Sequence, residues 1–249
     1  MHVPDAQTLD HLADRGWPAL EREGLGGWVL RASAGVTNRA NSVLTAGEVD
    51  DVPAAVDRAE RWYADRSLAA AFQLSPASPF GLADLLARRG YREHARTDIL
   101  VADRAEVAAS GGPIDVCPGI SGRPDDAWLD TWWSVDGRGG DSERDIAARI
   151  LSGGPALYAG AGDAEAPDAV ARLALVGEWG GLYAVATRPS ARRRGLARAL
   201  AVALARRSAE HGVHRLWLQV LAGNTAAHAL YASLGFRRAS GYAYWSPPA

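Results

Sequence analysis

Apolar positions alternate with polar ones in short runs and recur elsewhere at three- to four-residue spacing, which predicts strands and helices in turn. The C-terminal half shows this most clearly. Gly181 to Thr187 reads as a strand, and Leu196, Leu200 and Leu204 form a stripe that predicts a helix lying on a sheet. Gly212 ends that helix. Val213 to Leu221 follows as a strand, Thr225 to Leu234 as a helix and Gly241 to Trp245 as the final strand. Upstream, Ile114 to Cys117, Ala156 to Gly160 and Ala169 to Val176 read as strands. Pro124 to Val135 predicts a helix with Trp128 and Trp132 on one face, and Asp141 caps another that reaches Leu151. Asp136 to Gly140 is a flexible break between the two.

The N-terminal half is less regular. Thr8 to Glu23 predicts a helix, interrupted near Gly16-Trp17-Pro18. Gly26 to Ala32 predicts a strand and Arg39 to Thr45 its hairpin partner, across turn residues Ser33 to Asn38. This hairpin is densely polar, either as a solvated edge or as the lining of a polar substrate site. Arg39 and Asn41 alternate along its returning strand and so share a face. Asp50-Asp-Val-Pro53 starts a helix running to about Arg66. Leu68 to Leu74, Pro79 to Arg89 and Tyr91 to Val101 then read as strand, helix and strand, and Asp103 to Gly112 as a linker.

Two segments echo each other. Phe72-Gln73-Leu74, a helix and Arg89-Gly90-Tyr91 match Leu218-Gln219-Val220, a helix and Leu234-Gly235-Phe236. The chain thus reads as two copies, 1–103 and 113–249, with the first worn. Alternating strands and helices around a largely antiparallel sheet make an α+β protein.

Composition narrows the function classes. At 249 residues with 48% hydrophobic content and a formal charge of −2, the chain has ample core and no bulk attraction to nucleic acid. All of its cationic side chains other than histidine are arginines. Cys117 stands alone and the six histidines lack ligand spacing, so neither a disulfide nor a metal site is expected. No apolar run spans a membrane and the first residues do not resemble a signal peptide, so the expectation is a cytoplasmic protein without membrane contact. Its oligomeric state is not legible.

The chemistry concentrates in Val185-Ala-Thr-Arg-Pro-Ser-Ala-Arg-Arg-Arg-Gly-Leu-Ala197. A strand runs into a loop with Arg192, Arg193, Arg194 and Gly195, and the loop opens a helix at Leu196. Unpaired N–H groups at a helix start, a close-approach glycine and three guanidiniums suit a phosphate or pyrophosphate. The plainer reading is a solvated basic helix start.

Arg192-x-x-Gly195-x-Ala197 resembles the acetyl-CoA loop of the GCN5-related N-acetyltransferases. Asn224-x-x-Ala227-x-x-Leu230-Tyr231-x-x-Leu234-Gly235-Phe236 is similar to that family's second signature. The resemblance covers roughly residues 113–249 and implies the N-acetyltransferase fold in two tandem copies. It implies acetyl-CoA as co-substrate and a small-molecule or peptide amine as acceptor. The diphosphate would sit on Arg192, Arg193, Arg194, Gly195, Leu196 and Ala197, and the pantetheine arm along Val185, Ala186 and Thr187. Asn224 would bond the arm or its loop, or simply cap its helix. Tyr231 is the candidate general acid, and Trp132 borders the family's acceptor region. The base is open between Glu178, His228 and water. In the first copy Glu48, Asp50 and Asp51 replace the arginine loop and Leu86 replaces the tyrosine, so one active site is expected. A non-catalytic acyl-CoA sensor is the rival reading.

Overall fold

Both halves of the chain lay down strands and helices in a similar order. The computed structural model describes residues 4–111 and 116–248. The first half comprises α1 (Ala6–Gly16), β1 (Glu21–Leu25), β2 (Trp28–Ala32), β3 (Val43–Leu44), α2 (Val52–Ala64), β4 (Phe72–Leu74), α3 (Leu82–Arg88) and β5 (Arg92–Asp103). After α4 (Arg104–Ala109) come β6 (Gly119–Ser121), α5 (Asp126–Asp136), α6 (Asp141–Leu151), β7 (Ala156–Gly162), β8 (Pro167–Val176) and β9 (Trp179–Thr187). The chain closes with α7 (Leu196–Arg207), β10 (Arg215–Leu221), α8 (Thr225–Ala232) and β11 (Arg237–Ser246).

One sheet of 11 strands runs through both halves in the order β1-β2-β3-β4-β11-β5-β10-β9-β8-β7-β6. Each half contributes one parallel pair, β3 with β4 and β9 with β10, among otherwise antiparallel neighbours. The last strands of the two halves change places. β5 pairs with β10, while β11 lies between β4 and β5. Residues 92–103, read with the first half, thus sit within the second half's sheet.

Three apolar clusters form the core. One lies between the sheet and α1, α5 and α6, the second between the sheet and α4, α7 and α8, and the third fills the N-terminal half. The first cluster joins residues from both halves. Trp17 packs on Trp132 and Tyr183, with ring centroids 6.3 and 5.5 Å away. Carbonyls at the C-terminal end of α1 also accept from side chains of the second half. Tyr183 Oη donates to Ala13 O at 3.1 Å, and the buried Arg172 donates Nη1 to Gly16 O at 2.7 Å. Gly16 permits this approach, since a Cβ there would come within 2.8 Å of Trp217 and Tyr183.

Several expectations are corrected. The first helix ends at Gly16, and Glu21 to Leu25 form an edge strand that pairs with β2 across a turn at Gly26-Gly27. Edge position explains why Glu21, Arg22 and Glu23 tolerate strand geometry: Glu21 and Glu23 pair with Arg66 and Arg58. The predicted returning strand from Arg39 is a 3-10 turn over Asn38–Ala40 followed by the two residues of β3. The expected linker contains α4, capped by Asp103 accepting from the Ala105 and Glu106 N–H groups. Of the strand expected over Ile114 to Cys117, residues 114 and 115 lie outside the described residues and Val116 and Cys117 are not in a strand; β6 forms at Gly119–Ser121. The cap of α6 is Gly140, whose N–H donates to Glu143 Oε2 at 2.8 Å, with Asp141 already inside the helix.

Candidate active site

A slot opens where β9 and β10 part. They pair from Trp179 with Arg215 to Leu182 with Leu218 and no further. Beyond this point β9 follows β8, and β10 follows β5 to Leu221. The β8–β9 register slips between Arg172–Tyr183 and Val170–Ala186, leaving Ala184 and Val185 opposite one residue. This is a β-bulge, with Ala184 at φ +50°. The bulge interrupts the β8–β9 ladder at Ala184–Val185, where the Val185–Thr187 stretch expected to carry the pantetheine arm begins.

The loop after β9 ends in an open helix start. Gly195 is the N-cap of α7 at φ +77°, a conformation that favours glycine, and no side chain caps the helix. The N–H groups of Leu196 and Ala197 therefore face outward, beside the positive end of a 12-residue helix. Nothing lies within 4 Å of a Cβ built on Gly195. Arg192 and Arg193 are exposed, and Arg194 is held by Asp168 at 3.0 Å. The corresponding helix of the first half is closed. Asp51 caps α2 by accepting from the Ala54 N–H at 3.0 Å, and Pro53 removes a donor from the first turn.

Tyr231, on α8, belongs to the apolar cluster that also holds Leu182 of β9 and Val220 of β10. It is buried at 8% exposure, edge-on to Phe236 at 5.7 Å. Burial, and then the charge of Asp136, push its pKa up to about 12. Its match in the first half, Leu86, is fully buried in core. Asn224 caps α8, its Oδ1 accepting from the Ala227 N–H at 3.1 Å. This is the capping alternative, and it leaves the side-chain amide N–H groups facing outward.

On the opposite face of the sheet stands Arg39. Its Nε donates to Gln219 Oε1 at 2.6 Å, and its guanidinium lies 6.0 Å from the Tyr183 ring centroid. Gln219 is the first residue of β10 past the last pair with β9, so Arg39 marks the slot from behind. Tyr242 and Tyr244 share this face, with rings 5.3 Å apart. Asn41 does not join Arg39. Its side chain holds its own loop, accepting from Ser33 N and Gly35 N and donating to Val36 O and Thr37 O. Trp132 is a core residue at 5% exposure, between Trp17 and Trp133.

Asp136, part of the break predicted in the sequence, is an acid within electrostatic reach of these groups. It ends α5 and keeps contact with solvent. Desolvation by the surrounding protein raises its pKa above the ordinary carboxylate value, outweighing the opposing pull of Arg39, Trp132, Arg138 and Arg192. Its field reaches Tyr231 on one side and Arg39 on the other. Neither expected base is so placed. Glu178 lies at the far end of β9, roughly 20–25 Å from Val185 by strand rise. His228 turns toward β5, its Nε2 3.6 Å from Asp98 Oδ2, which lies in a carboxylate shared with Arg238. No cluster of three or more metal-ligating side chains occurs among the described residues. No helix among them is long and apolar enough to cross a membrane.

Comparison with known proteins agrees with this geometry. A family model described as "Probable histone acetyltransferase Rv0428c C-terminal" matches residues 4–245. The chain is 30% identical over 236 residues to the probable histone acetyltransferase Rv0428c of Mycobacterium tuberculosis, covering 93% of this chain and 70% of that protein. It is 27% identical over 248 residues to the uncharacterized N-acetyltransferase YobR of Bacillus subtilis, covering 97% of this chain and 98% of that protein. Among solved structures, a tandem GNAT protein from the clavulanic acid biosynthesis pathway superposes with a TM-score of 0.65 at 15% identity, over 100% of this chain and 90% of that one.

Proposed function

Because the chain belongs to the GCN5-related N-acetyltransferases, in the family of the Rv0428c C-terminal region, we propose that it transfers an acetyl group from acetyl-CoA to a primary amine in a ternary complex. The open start of α7 beside the β9–β10 slot carries this reading. It offers N–H donors, a helix dipole and arginines for a diphosphate, with an unpaired strand edge leading inward.

Each step then has a residue. The amine lone pair attacks the thioester carbonyl carbon, and the proton leaving nitrogen passes to Asp136. A carboxylate with a raised pKa is a better base than an ordinary one. The backbone freed at Ala184–Val185 supplies N–H groups for the oxygen that gains charge. The C–S bond breaks and the electron pair goes to sulfur, where Tyr231 Oη donates a hydrogen bond. Full proton transfer from a phenol near 12 to a thiolate near 8.5 is uphill by roughly 5 kcal/mol, so Tyr231 stabilises the thiolate and keeps its proton.

Calorimetry with acetyl-CoA tests the site. One molecule should bind per chain, and Gly195→Glu should abolish binding by placing a side chain and a negative charge where the diphosphate lies. Release of free CoA thiol with an amine panel tests turnover, and binding without turnover on any amine would establish the sensor reading instead. Equal acetyl-CoA affinity in the wild type and the variant would reject the site.

A further inference from the structure

The face behind the slot holds polar groups that acetyl-CoA does not account for. Tyr242 and Tyr244 are 5% and 3% exposed, yet among the described residues neither hydroxyl has a hydrogen-bond partner within bonding geometry. A buried donor left unmade costs about 1–3 kcal/mol. Both lie within electrostatic reach of Arg39. That guanidinium is half-buried and makes its close side-chain bond to a neutral amide, Gln219. Among the described residues no carboxylate lies in ion-pair contact with Arg39. The buried Arg31, by contrast, is 3.2 Å from Asp14. Two hydroxyls and the guanidinium thus gather on one face without a carboxylate in contact, and Asp136 lies within electrostatic reach of both Arg39 and Tyr231.

Resting on acetyl transfer as the reaction, we infer that the acceptor is a small zwitterion whose carboxylate is taken by Arg39 with the Tyr242 and Tyr244 hydroxyls, while its primary amine is turned toward Asp136 and the thioester. A dipolar site selects a dipolar ligand: the carboxylate supplies the anion that Arg39 lacks, and the ammonium meets Asp136. The loop over 33–42 forms the wall on this side, held by Asn41 and with Ala34 and Thr37 at positive φ. A basic peptide would set its charge against Arg39, whereas a free carboxylate pairs with it.

The test compares amino acids with their carboxamides as acceptors, alongside a lysine-rich peptide, using the full chain with acetyl-CoA and reading thiol release. A charge-assisted contact predicts a kcat/KM about 10–100-fold higher for the acids. Arg39→Gln should collapse that ratio toward one, Arg39→Lys should restore part of it, and Tyr242→Phe with Tyr244→Phe should lower it. Calorimetric acetyl-CoA binding by each variant confirms its fold. Equal use of acids and amides by a wild type that binds acetyl-CoA overturns the inference and leaves acetyl transfer standing, as does preference for the basic peptide. Failure of the wild type to bind acetyl-CoA overturns acetyl transfer itself, and this inference with it.

Discussion

At the scale of single residues, Tyr231 and Asp136 belong to one electrostatic unit. The carboxylate charge helps to raise the phenol, and burial raises both. Tyr231→Phe keeps the ring against Phe236 and removes only the hydroxyl. Turnover should fall roughly 10²–10⁴-fold, the usual range for such a group, with acetyl-CoA affinity nearly unchanged. Full turnover in this variant, with chemistry shown to limit the rate, would make Tyr231 structural. Asp136→Asn acts on the pH profile. As a base, Asp136 works when deprotonated, so activity should decline as pH falls through its raised pKa. The variant should lose that limb together with most of its rate. Removing the negative charge also lets the Tyr231 phenol ionise more easily, so the alkaline limb should move to lower pH. A profile identical to the wild type on both limbs would show that Asp136 is a bystander.

At the scale of elements, α1 carries two buried acids one turn apart with opposite shifts. Asp14 is held below the ordinary value because Arg22 and Arg31 outweigh its desolvation. For Asp10 desolvation wins. Its pKa rises to about 6, with Ser75 Oγ 2.5 Å from Oδ2 and no partner at Oδ1. A carboxyl raised in the fold binds its proton more tightly there than in the unfolded chain. Its contribution is therefore complete below about pH 4 and is lost as pH rises through 6, roughly 3 kcal/mol in all. Asp14 does the reverse, losing its contribution only in stronger acid. Asp10→Asn should then raise the melting temperature at pH 7 and flatten its dependence between pH 4.5 and 7. Parallel melting curves for variant and wild type across that range would contradict this. Elements also mark how far the sequence could be read. From α5 to β11 most helices and strands are legible in the apolar periodicity, because that depends on local spacing. The charged strand β1 is not legible in the sequence, since its stability comes from edge position and from Arg58 on α2 and Arg66 just after it, far along the chain. Arg39 was read as part of a strand because its residues alternate, but Asn41 gathers the backbone into a turn. Asp136 gives no signal in the sequence, because its raised pKa comes from which groups surround it. Tyr242-x-Tyr244 and Gln219 were visible as patterns, and nothing local said that Arg39 would come to face them.

At the scale of the whole molecule, the exchange of final strands decides how the two halves depend on each other. β5 pairs along β10 from Thr97 to Asp103 and along β11 on its other edge. β11 in turn closes the gap between β4 and β5. If residues 1–103 were expressed alone, β4 would present only its three residues to solvent where β11 belongs, and both edges of β5 would lose their partners. Arg172 and Tyr183 would no longer donate to the end of α1. The second half alone would leave β10 with an open edge and Trp217 and Ile99 without their shared core. Unpaired strand edges and exposed apolar faces favour unfolding or aggregation. The full chain should therefore unfold in one transition, with calorimetric and van't Hoff enthalpies in agreement. Fragments 1–103 and 113–249 should each lack cooperative melting. Mixing them should restore structure only as far as β5 and β11 find their places, and acetyl-CoA binding should return in step with that recovery. Two separate transitions in the intact chain, or a 113–249 fragment that melts cooperatively and binds acetyl-CoA alone, would show that the halves are independent and that the shared sheet is a contact between finished domains.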